Sequence, residues 1–390
     1  MAPSLWNRRQ WIAATSAAAG ASLMPMHLLA RPLTPRALVF PRDHGTHNET
    51  RTEWWYLTGY GIDDDNRRFG FQVTFFRSRV DGTESLTGRL AARHLLFAHA
   101  AITDVSAGRA IHDQRISRWN GLPPEPKAPS AVFASAEHMD VRLGPWSLNS
   151  PTKPDTLQAD SAPQHALPCA ATVVADRFSI RLTGSPTQPL LLQGDAGFSR
   201  KGPQSDQASF YTTLPQLTIE GELDIDGRRH VIRSGKAWLD HEWSETLLAP
   251  DAQGWDWLGM NLDDGSSLTA FQLRRADGTA VWAGGSWRAR NGETQNFPAT
   301  AVQWTPRRWW TSPDTGARYP VEWDVRTPAG RWRVNSLVEA QEIDSRQSTG
   351  TVYWEGLSTL QSLDSGSSQA GAIAGMGYLE MTGYAGRLRL

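Results

Sequence analysis

The sequence has very little cysteine and no excess of charge of either sign. Its 390 residues contain one cysteine, Cys169, which excludes an intrachain disulfide, a CxxC zinc or redox site and a cysteine-bound iron–sulfur cluster. Lysine and arginine number 39 against 40 aspartates and glutamates, so no strong positive field is available to hold a phosphate backbone. Nucleic acid is therefore not an expected partner.

Local motifs of familiar enzyme classes are also missing. The sequence contains no GxSxG nucleophile elbow, no GxxxxGKS or GxxxxGKT phosphate loop, no GxGxxG dinucleotide motif and no HExxH zinc motif. His44-Gly45-Thr46-His47 has the spacing of a metal-ligand pair, but no carboxylate cluster accompanies it, so no metal is predicted. No cofactor is expected.

Tryptophan, in contrast, is abundant. The chain has 18 tryptophans against 12 phenylalanines and 7 tyrosines, which calls for a large aromatic core or a cavity with aromatic walls. Short alternating runs of aromatic and β-branched residues recur between turn dipeptides such as Asp226-Gly227 and Asn291-Gly292, and no window has sustained helical spacing. The predicted fold class is all-β, with antiparallel strands that close into barrels.

The turn signals divide the mature chain into strands and two predicted domains. The strands are predicted at Glu53–Ile62, Phe69–Val80, Leu217–Ile225, His230–Ala237, Trp255–Leu262, Ser267–Arg275 and Ala280–Arg290. The loop after Trp243 is the expected boundary, which gives an N-terminal domain at residues 31–247 and a C-terminal domain at residues 248–390.

The first thirty residues resemble an export signal rather than part of the fold. Arg8-Arg9 precedes a weakly hydrophobic, alanine-rich run that extends from Trp11 to Ala30. This pattern is typical of a twin-arginine signal peptide at residues 1–30, and it predicts a periplasmic protein. An uncleaved membrane anchor is the alternative, although the run is less apolar than a stable span requires.

The motif most suggestive of chemistry is Trp238-Leu239-Asp240-His241-Glu242-Trp243. On a strand, Asp240 and Glu242 point to one face and His241 and Trp243 to the other. We expect the face of His241 and Trp243 to line the cavity, where the imidazole could act as a general acid or base. The alternative is a core tryptophan beside a histidine bound to a loop carbonyl.

Glu53 alternates with large aromatic residues in a second motif, Arg51–Tyr56. A carboxylate buried there needs a cationic partner, for which the sequence offers Arg77, Arg79 or Arg93. A structural ion pair and a catalytic carboxylate are both compatible with this pattern.

Four separated stretches together resemble the AttH/CrtC family, which includes carotenoid 1,2-hydratases and many exported proteins. They are Arg51–Gly59, Phe69–Arg77, Gly197–Gly202 and Ala237–Trp243, and the resemblance covers nearly all of residues 40–390. It implies two lipocalin-like antiparallel β-barrel domains packed together. Gly254–Trp257 and Gly377–Tyr384 resemble the second of these domains.

The same resemblance implies a hydro-lyase that adds water to a C=C bond of an apolar isoprenoid or polyene. The family's His-x-Trp falls on His241 and Trp243, but its Tyr/Asp pair would fall near Ser266–Phe271, which contains neither. Glu53, Asp240 or Glu380 would then have to donate the proton. The candidate catalytic residues are His241, Trp243, Asp240 and Glu53, and the candidate substrate-binding residues are Trp55, Tyr56, Trp257 and Tyr384.

Two other functions stay open. The protein could be a non-catalytic periplasmic binder of a lipophilic small molecule, with an ABC-transporter permease as partner, because exported relatives are commonly encoded beside such permeases. It could also assist cyclisation or hydrolysis of a bound apolar substrate, since a fold does not by itself fix a function.

Overall fold

The computed structural model describes residues 33–83, 85–88, 90–123, 132–151, 165–246, 248–363 and 370–387. The predicted signal peptide at residues 1–30 lies outside these ranges. Within them, helix is limited to one 3-10 turn at Arg42–His44, and no helix is long and apolar enough to cross a membrane. The all-β prediction is confirmed.

The first sheet holds thirteen strands in antiparallel order. They are β1 (Thr52–Asp63), β2 (Arg68–Arg79), β3 (His94–Asp104), β4 (Arg109–Trp119), β5 (Val132–Ala134), β6 (Asp140–Leu143), β7 (Trp146–Asn149), β8 (Cys169–Val174), β9 (Phe178–Ser185), β10 (Leu191–Leu192), β11 (Phe198–Arg200), β12 (Ala208–Ile225) and β13 (Arg228–Ser244). The main path runs β4-β3-β2-β1-β13-β12-β9-β8-β7-β6-β5, and β10 and β11 pair with β12. Because β4 at one end contacts β5 at the other, the sheet nearly closes into a barrel.

The second sheet holds ten strands. They are β14 (Gly254–Leu262), β15 (Ser267–Arg274), β16 (Ala280–Arg288), β17 (Thr294–Phe297), β18 (Gln303–Thr311), β19 (Arg318–Thr327), β20 (Gly330–Ser336), β21 (Glu342–Ser345), β22 (Thr351–Leu363) and β23 (Ala370–Met381). The path runs β17-β16-β15-β14-β23-β22-β20-β19-β18, and β21 pairs with β22.

Each of the seven predicted strands coincides with an observed one, namely β1, β2, β12, β13, β14, β15 and β16. Asp226 and Gly227 both have positive φ, 52° and 80°, and join β12 to β13 as a tight hairpin turn. The largest difference is β12, which begins nine residues before the predicted start at Leu217. Pro215 lies inside the observed strand, which passes it through a register shift between Leu214 and Leu217, with Gln216 at a φ of 57°.

Each sheet encloses its own apolar core. Trp55, Phe71 and Trp146 are fully buried in the first, and Trp354 and Leu379 are fully buried in the second. Burial of each such side chain contributes about 1.5–3 kcal/mol, and cores of this size need no disulfide.

Polar contacts join the two sheets. The backbone N–H of Gln216 donates to Asn261 Oδ1 at 2.8 Å, and Asn261 Nδ2 donates to the carbonyl of Ala237 at 3.1 Å. Residues from Leu33 onward form one compact unit. The first sheet ends at Ser244 and the second begins at Gly254, so the boundary proposed at residue 247 falls in the connection; two separately folding domains stay a prediction.

Candidate active site

Strand β13 presents two chemically different faces. It pairs with β1 so that Asp240 lies opposite Tyr56 and Glu242 lies opposite Trp54. These four side chains point toward the second sheet, because residues directly opposite each other share a face. The intervening His241 points the other way. The face assignment from the alternating sequence is therefore correct.

The Asp240 face lines a cavity between the two sheets, with about 810 Å³ of atom-free space when its open mouth is included. The first sheet and its loops contribute Trp54, Tyr56, Phe76, Lys201, Ser209, Tyr211, Asp240, Glu242, Ser244 and Thr246. The second sheet contributes Trp255, Trp257, Phe271, Leu273 and Glu380. Seven of the fifteen lining residues are aromatic, and most of the exposed wall surface is apolar. Seven polar side chains, four of them ionisable, also face the cavity, and such a combination is typical of a site for an apolar ligand that carries reactive or polar groups.

Asp240 is a buried carboxyl surrounded by neutral donors. The Tyr211 hydroxyl donates to Asp240 Oδ2 at 2.8 Å, and the Thr213 hydroxyl donates to Oδ1 at 2.6 Å. Trp257 Nε1 in turn donates to the Tyr211 oxygen at 3.1 Å. Burial outweighs these hydrogen bonds and raises the pKa of Asp240 to about 7. Asp240 can therefore carry a proton near neutral pH.

Glu380 faces the same cavity from the second sheet. Trp255 Nε1 donates to Glu380 Oε2 at 3.0 Å, and the Tyr56 hydroxyl donates to Oε1 at 3.4 Å. Burial raises the pKa of Glu380 to about 7. Glu355 lies opposite Glu380 in the β22–β23 register, and burial and the neighbouring Glu380 charge raise the pKa of Glu355 well above its usual range.

The other face of β13 belongs to an ion cluster inside the first barrel. Glu53 there is fully buried and accepts hydrogen bonds from Arg77 Nε at 2.9 Å, His47 Nδ1 at 2.8 Å and His241 Nε2 at 2.9 Å. Burial opposes ionisation, but the Arg77 guanidinium and the histidine hydrogen bonds hold the pKa of Glu53 well below its usual range. Glu53 therefore acts as the buried anion of an ion pair, and Arg77 is its partner.

His241 and Trp243 are part of this cluster and do not line the cavity described above. Trp243 stacks on His47 with ring centroids 3.7 Å apart. Burial lowers the pKa of His241, so its imidazole is neutral at pH 7 and donates from Nε2 to Glu53. The expectation that the His241–Trp243 face lines the cavity is wrong for this cavity, because that face packs into the barrel beneath it.

The predicted substrate-binding aromatics divide in the same way. Tyr56 and Trp257 line the cavity. Trp55 instead stacks on His241 inside the barrel, with ring centroids 4.8 Å apart. The Tyr384 hydroxyl donates to Asp256 at 2.9 Å, away from the cavity wall.

Among the cavity residues that the sequence analysis did not predict, Tyr211 and Lys201 bear most directly on the chemistry. Tyr211 lies in the part of β12 that precedes Pro215, where no strand was predicted. Lys201 lies in the Gly197–Gly202 stretch, which was noted only for its resemblance to a family motif. The Ser209-Phe210-Tyr211 run, with aromatics next to a small residue, was the available strand signal.

The ion cluster also contains a geometry that could suit a metal. One ligand atom each from His47, Glu53 and His241 lies within 4.8 Å of the others. Both ring nitrogens of His47 face carboxylates, Glu53 and Asp43, and these hydrogen bonds raise its pKa against the effect of burial. Arg77 and a protonated His47 thus neutralise the carboxylates, and a divalent cation would add unbalanced charge.

Comparison with known proteins identifies the family. The AttH-like family model matches residues 31–384. The chain belongs to the AttH-like family. The AttH protein NE1406 from Nitrosomonas europaea is 38% identical to this AttH-like protein, with a TM-score of 0.76, and the match covers 91% of this chain and 99% of that one. No curated protein is significantly similar to it in sequence.

More distant structures share the AttH-like fold. Kievitone hydratase from Nectria haematococca has a TM-score of 0.65 at 16% identity, over 91% of this chain and 98% of that chain. CghA, solved with Sch210972, has a TM-score of 0.52 at 14% identity, over 91% and 96%. The predicted lipocalin-like all-β fold is confirmed by these neighbours.

Proposed function

We propose that this AttH-like protein adds water across a C=C bond of an apolar substrate held between its two sheets. The observation that carries the proposal is the pair of buried carboxyls, Asp240 and Glu380, which face one aromatic cavity and whose pKa values both lie near 7. General acid–base catalysis works best when the pKa of the catalytic group is close to the operating pH.

Asp240 and Tyr211 together form the proton donor. When Asp240 is protonated, its O–H can donate to the Tyr211 oxygen, which leaves the Tyr211 O–H free to point into the cavity. The Tyr211 O–H bond breaks as its proton passes to one alkene carbon, and Asp240 gives its own proton to the Tyr211 oxygen and becomes ionised. The π electrons form the new C–H bond and leave a carbocation on the other carbon. The electron-rich faces of the tryptophan rings then stabilise that cation.

Glu380 completes the reaction as the base. A water molecule attacks the cation, its oxygen forms the new C–O bond, and its proton passes to the Glu380 carboxylate. Solvent then returns that proton to Asp240. Because both pKa values lie near 7, molecules with Asp240 protonated and Glu380 ionised are populated at neutral pH.

The Tyr211–Asp240 pair also provides a tyrosine and an aspartate in place of the pair that the sequence motif lacks. Ser266–Phe271 contains neither the tyrosine nor the aspartate that the hydratase resemblance implies. Tyr211 and Asp240 come from two other strands, β12 and β13, and supply the same two groups in hydrogen-bond contact. The fold shared with kievitone hydratase agrees with this reading.

Purified residues 31–390 should be incubated with lycopene and with kievitone in isotopically labelled water. We expect a product heavier by one water that carries the labelled oxygen. Asp240→Asn and Glu380→Gln should each lower the rate about 100-fold or more. Glu293→Gln, at an exposed position, is the matched control and should keep the full rate. Absence of product with both compounds, or full activity in Asp240→Asn, would contradict the proposal.

A second candidate function is that of a periplasmic carrier, which binds a lipophilic ligand and acts with an ABC transporter. The aromatic wall of the cavity supports ligand binding of this kind. It requires export through Arg8-Arg9. Replacement of both arginines by lysine should keep the protein in the cytoplasm. A lipophile that copurifies unchanged with the periplasmic form, together with no hydration product, would favour the carrier.

A further inference from the structure

Lys201 places an ammonium group in the aromatic wall of the cavity. Its Nζ lies 4.6 Å from the ring centroid of Tyr211 and 4.3 Å from that of Phe271. Cation–π contacts of this kind hold a lysine against an aromatic surface. The side chain is 18% exposed, so its head group faces the cavity rather than open solvent.

The loop that carries Lys201 is held firmly in place. The backbone N–H of Lys201 donates to the carbonyl of Gln207 at 2.7 Å. The neighbouring Arg200 donates to the carbonyls of Gly202 and Pro203 at 3.0 and 2.8 Å, and its guanidinium lies over the Trp282 ring. Lys201 is therefore positioned by the fold before any ligand enters.

The charge of Lys201 is balanced, but its donors are not all used. Nζ lies 3.0 Å from Glu242 Oε1, and Ser209 also donates to that carboxylate. An ammonium has three N–H donors, and among the described residues Glu242 is the acceptor within reach. The pair thus offers hydrogen-bond donors to a ligand without a net positive charge.

We propose that Lys201 is a specificity residue that binds an uncharged oxygen of the ligand, so that the cavity selects alcohols, ketones or phenols of apolar skeleton over pure hydrocarbons. A carboxylate or phosphate fits poorly, because Glu242, Asp240 and Glu380 share the same cavity. This inference rests on the proposed ligand site, but it concerns binding and not turnover.

The test uses farnesene, farnesol and farnesoic acid, which share one isoprenoid skeleton and differ in the oxygen group. Their affinities for residues 31–390 are measured by isothermal titration calorimetry. Lys201→Met should weaken farnesol binding about tenfold, equal to about 1.4 kcal/mol, and leave farnesene binding unchanged. Lys201→Arg should retain most of the farnesol affinity. Lys236→Met, a lysine outside the cavity, is the matched control.

Lys201→Met also leaves the buried Glu242 without its counter-charge. The double variant Lys201→Met with Glu242→Gln removes both charges, and the same selective loss of farnesol affinity is expected in it. Equal changes for farnesol and farnesene, no binding of either to the wild type, or tighter binding of farnesoic acid than of farnesol would each overturn the inference. If the hydration assay fails but Lys201→Met still weakens farnesol binding selectively, the proposed hydratase activity is rejected. The proposed role of Lys201 in binding a ligand oxygen then still holds.

Discussion

Asp240 and His241 are adjacent in sequence, yet the fold places them in opposite electrostatic environments. Asp240 has only neutral donors around it, so burial raises its pKa to about 7. His241 faces the ionised Glu53, but burial outweighs that carboxylate and lowers the pKa of the imidazole. The carboxyl is therefore partly protonated at neutral pH, while the neighbouring imidazole is uncharged.

Asp240→Asn should change how stability depends on pH. The pKa of Asp240 rises from an ordinary 3.8 to about 7 in the folded protein, so between these values the folded state binds a proton that the unfolded state releases. The stabilisation is fully present below about pH 4 and is lost as the pH rises to about 7. The free energy of unfolding of wild type relative to Asp240→Asn should fall by up to about 4 kcal/mol across this range.

Urea unfolding at a series of pH values measures this difference. Asp176→Asn, at an exposed turn position, is the control and should run parallel to the wild type. If the free energies of unfolding of the wild type and of Asp240→Asn show the same pH dependence between pH 4 and 7, the pKa of Asp240 is not raised.

At the scale of strands, the sequence predicts which side chains of β13 share a face. It does not predict which part of the fold each face contacts. The sequence correctly separated Asp240 and Glu242 from His241 and Trp243. Both faces of β13 carry a tryptophan, Trp238 on one and Trp243 on the other, and both are buried. Alternation therefore gives no signal for which face meets the second sheet, because that depends on packing between strands far apart in sequence.

Tyr211 illustrates the other limit of sequence reasoning. Proline is normally excluded from the interior of a central strand, and Pro215 stands two residues before the predicted strand start at Leu217. The bulge at Gln216 absorbs the proline and lets β12 continue back to Ala208. A local irregularity of this kind has no reliable sequence signature, so Tyr211, the proposed proton donor, was not predicted to lie on a strand.

Gly377 lies where strands β23 and β14 of the second sheet approach each other closely. A Cβ at this position would collide with the carbonyl of Gly259 and with Met260 on the paired strand β14. Gly377→Ala should therefore destabilise the protein by about 1–3 kcal/mol in urea unfolding. Gly88→Ala, where a Cβ meets open space, should stay within about 0.5 kcal/mol of the wild type. Equal stability of the two variants would contradict this packing.

At the scale of the whole molecule, the cavity belongs to both sheets. Asp240 and Tyr211 come from the first sheet, and Glu380 and Trp257 come from the second. Neither sheet alone contains a complete acid, base and aromatic wall. The activity proposed above therefore requires the two sheets to be held in fixed register with each other.

Thermal unfolding should accordingly follow one cooperative transition. Asn261 bonds the backbone of Gln216 and Ala237 across the sheets, and Asn261→Leu would leave these buried groups unpaired. We expect this variant to lose about 1–3 kcal/mol and to unfold in a single transition at lower temperature. Differential scanning calorimetry measures both. Two separate transitions in the wild type would show instead that the sheets unfold as independent domains.

The different roles of the two faces of β13 also limit which insertions and deletions its coding sequence can tolerate. Insertion or deletion of a single codon between Trp238 and Asp240, if no bulge absorbs it, would turn every later side chain of the strand to the opposite face. The imidazole would then enter the cavity, and the cavity carboxyls would enter the ion cluster, so both sites would be lost together. Substitutions and loop-length changes can diversify the ligand site, whereas a single-codon indel at this point of the strand would remove it.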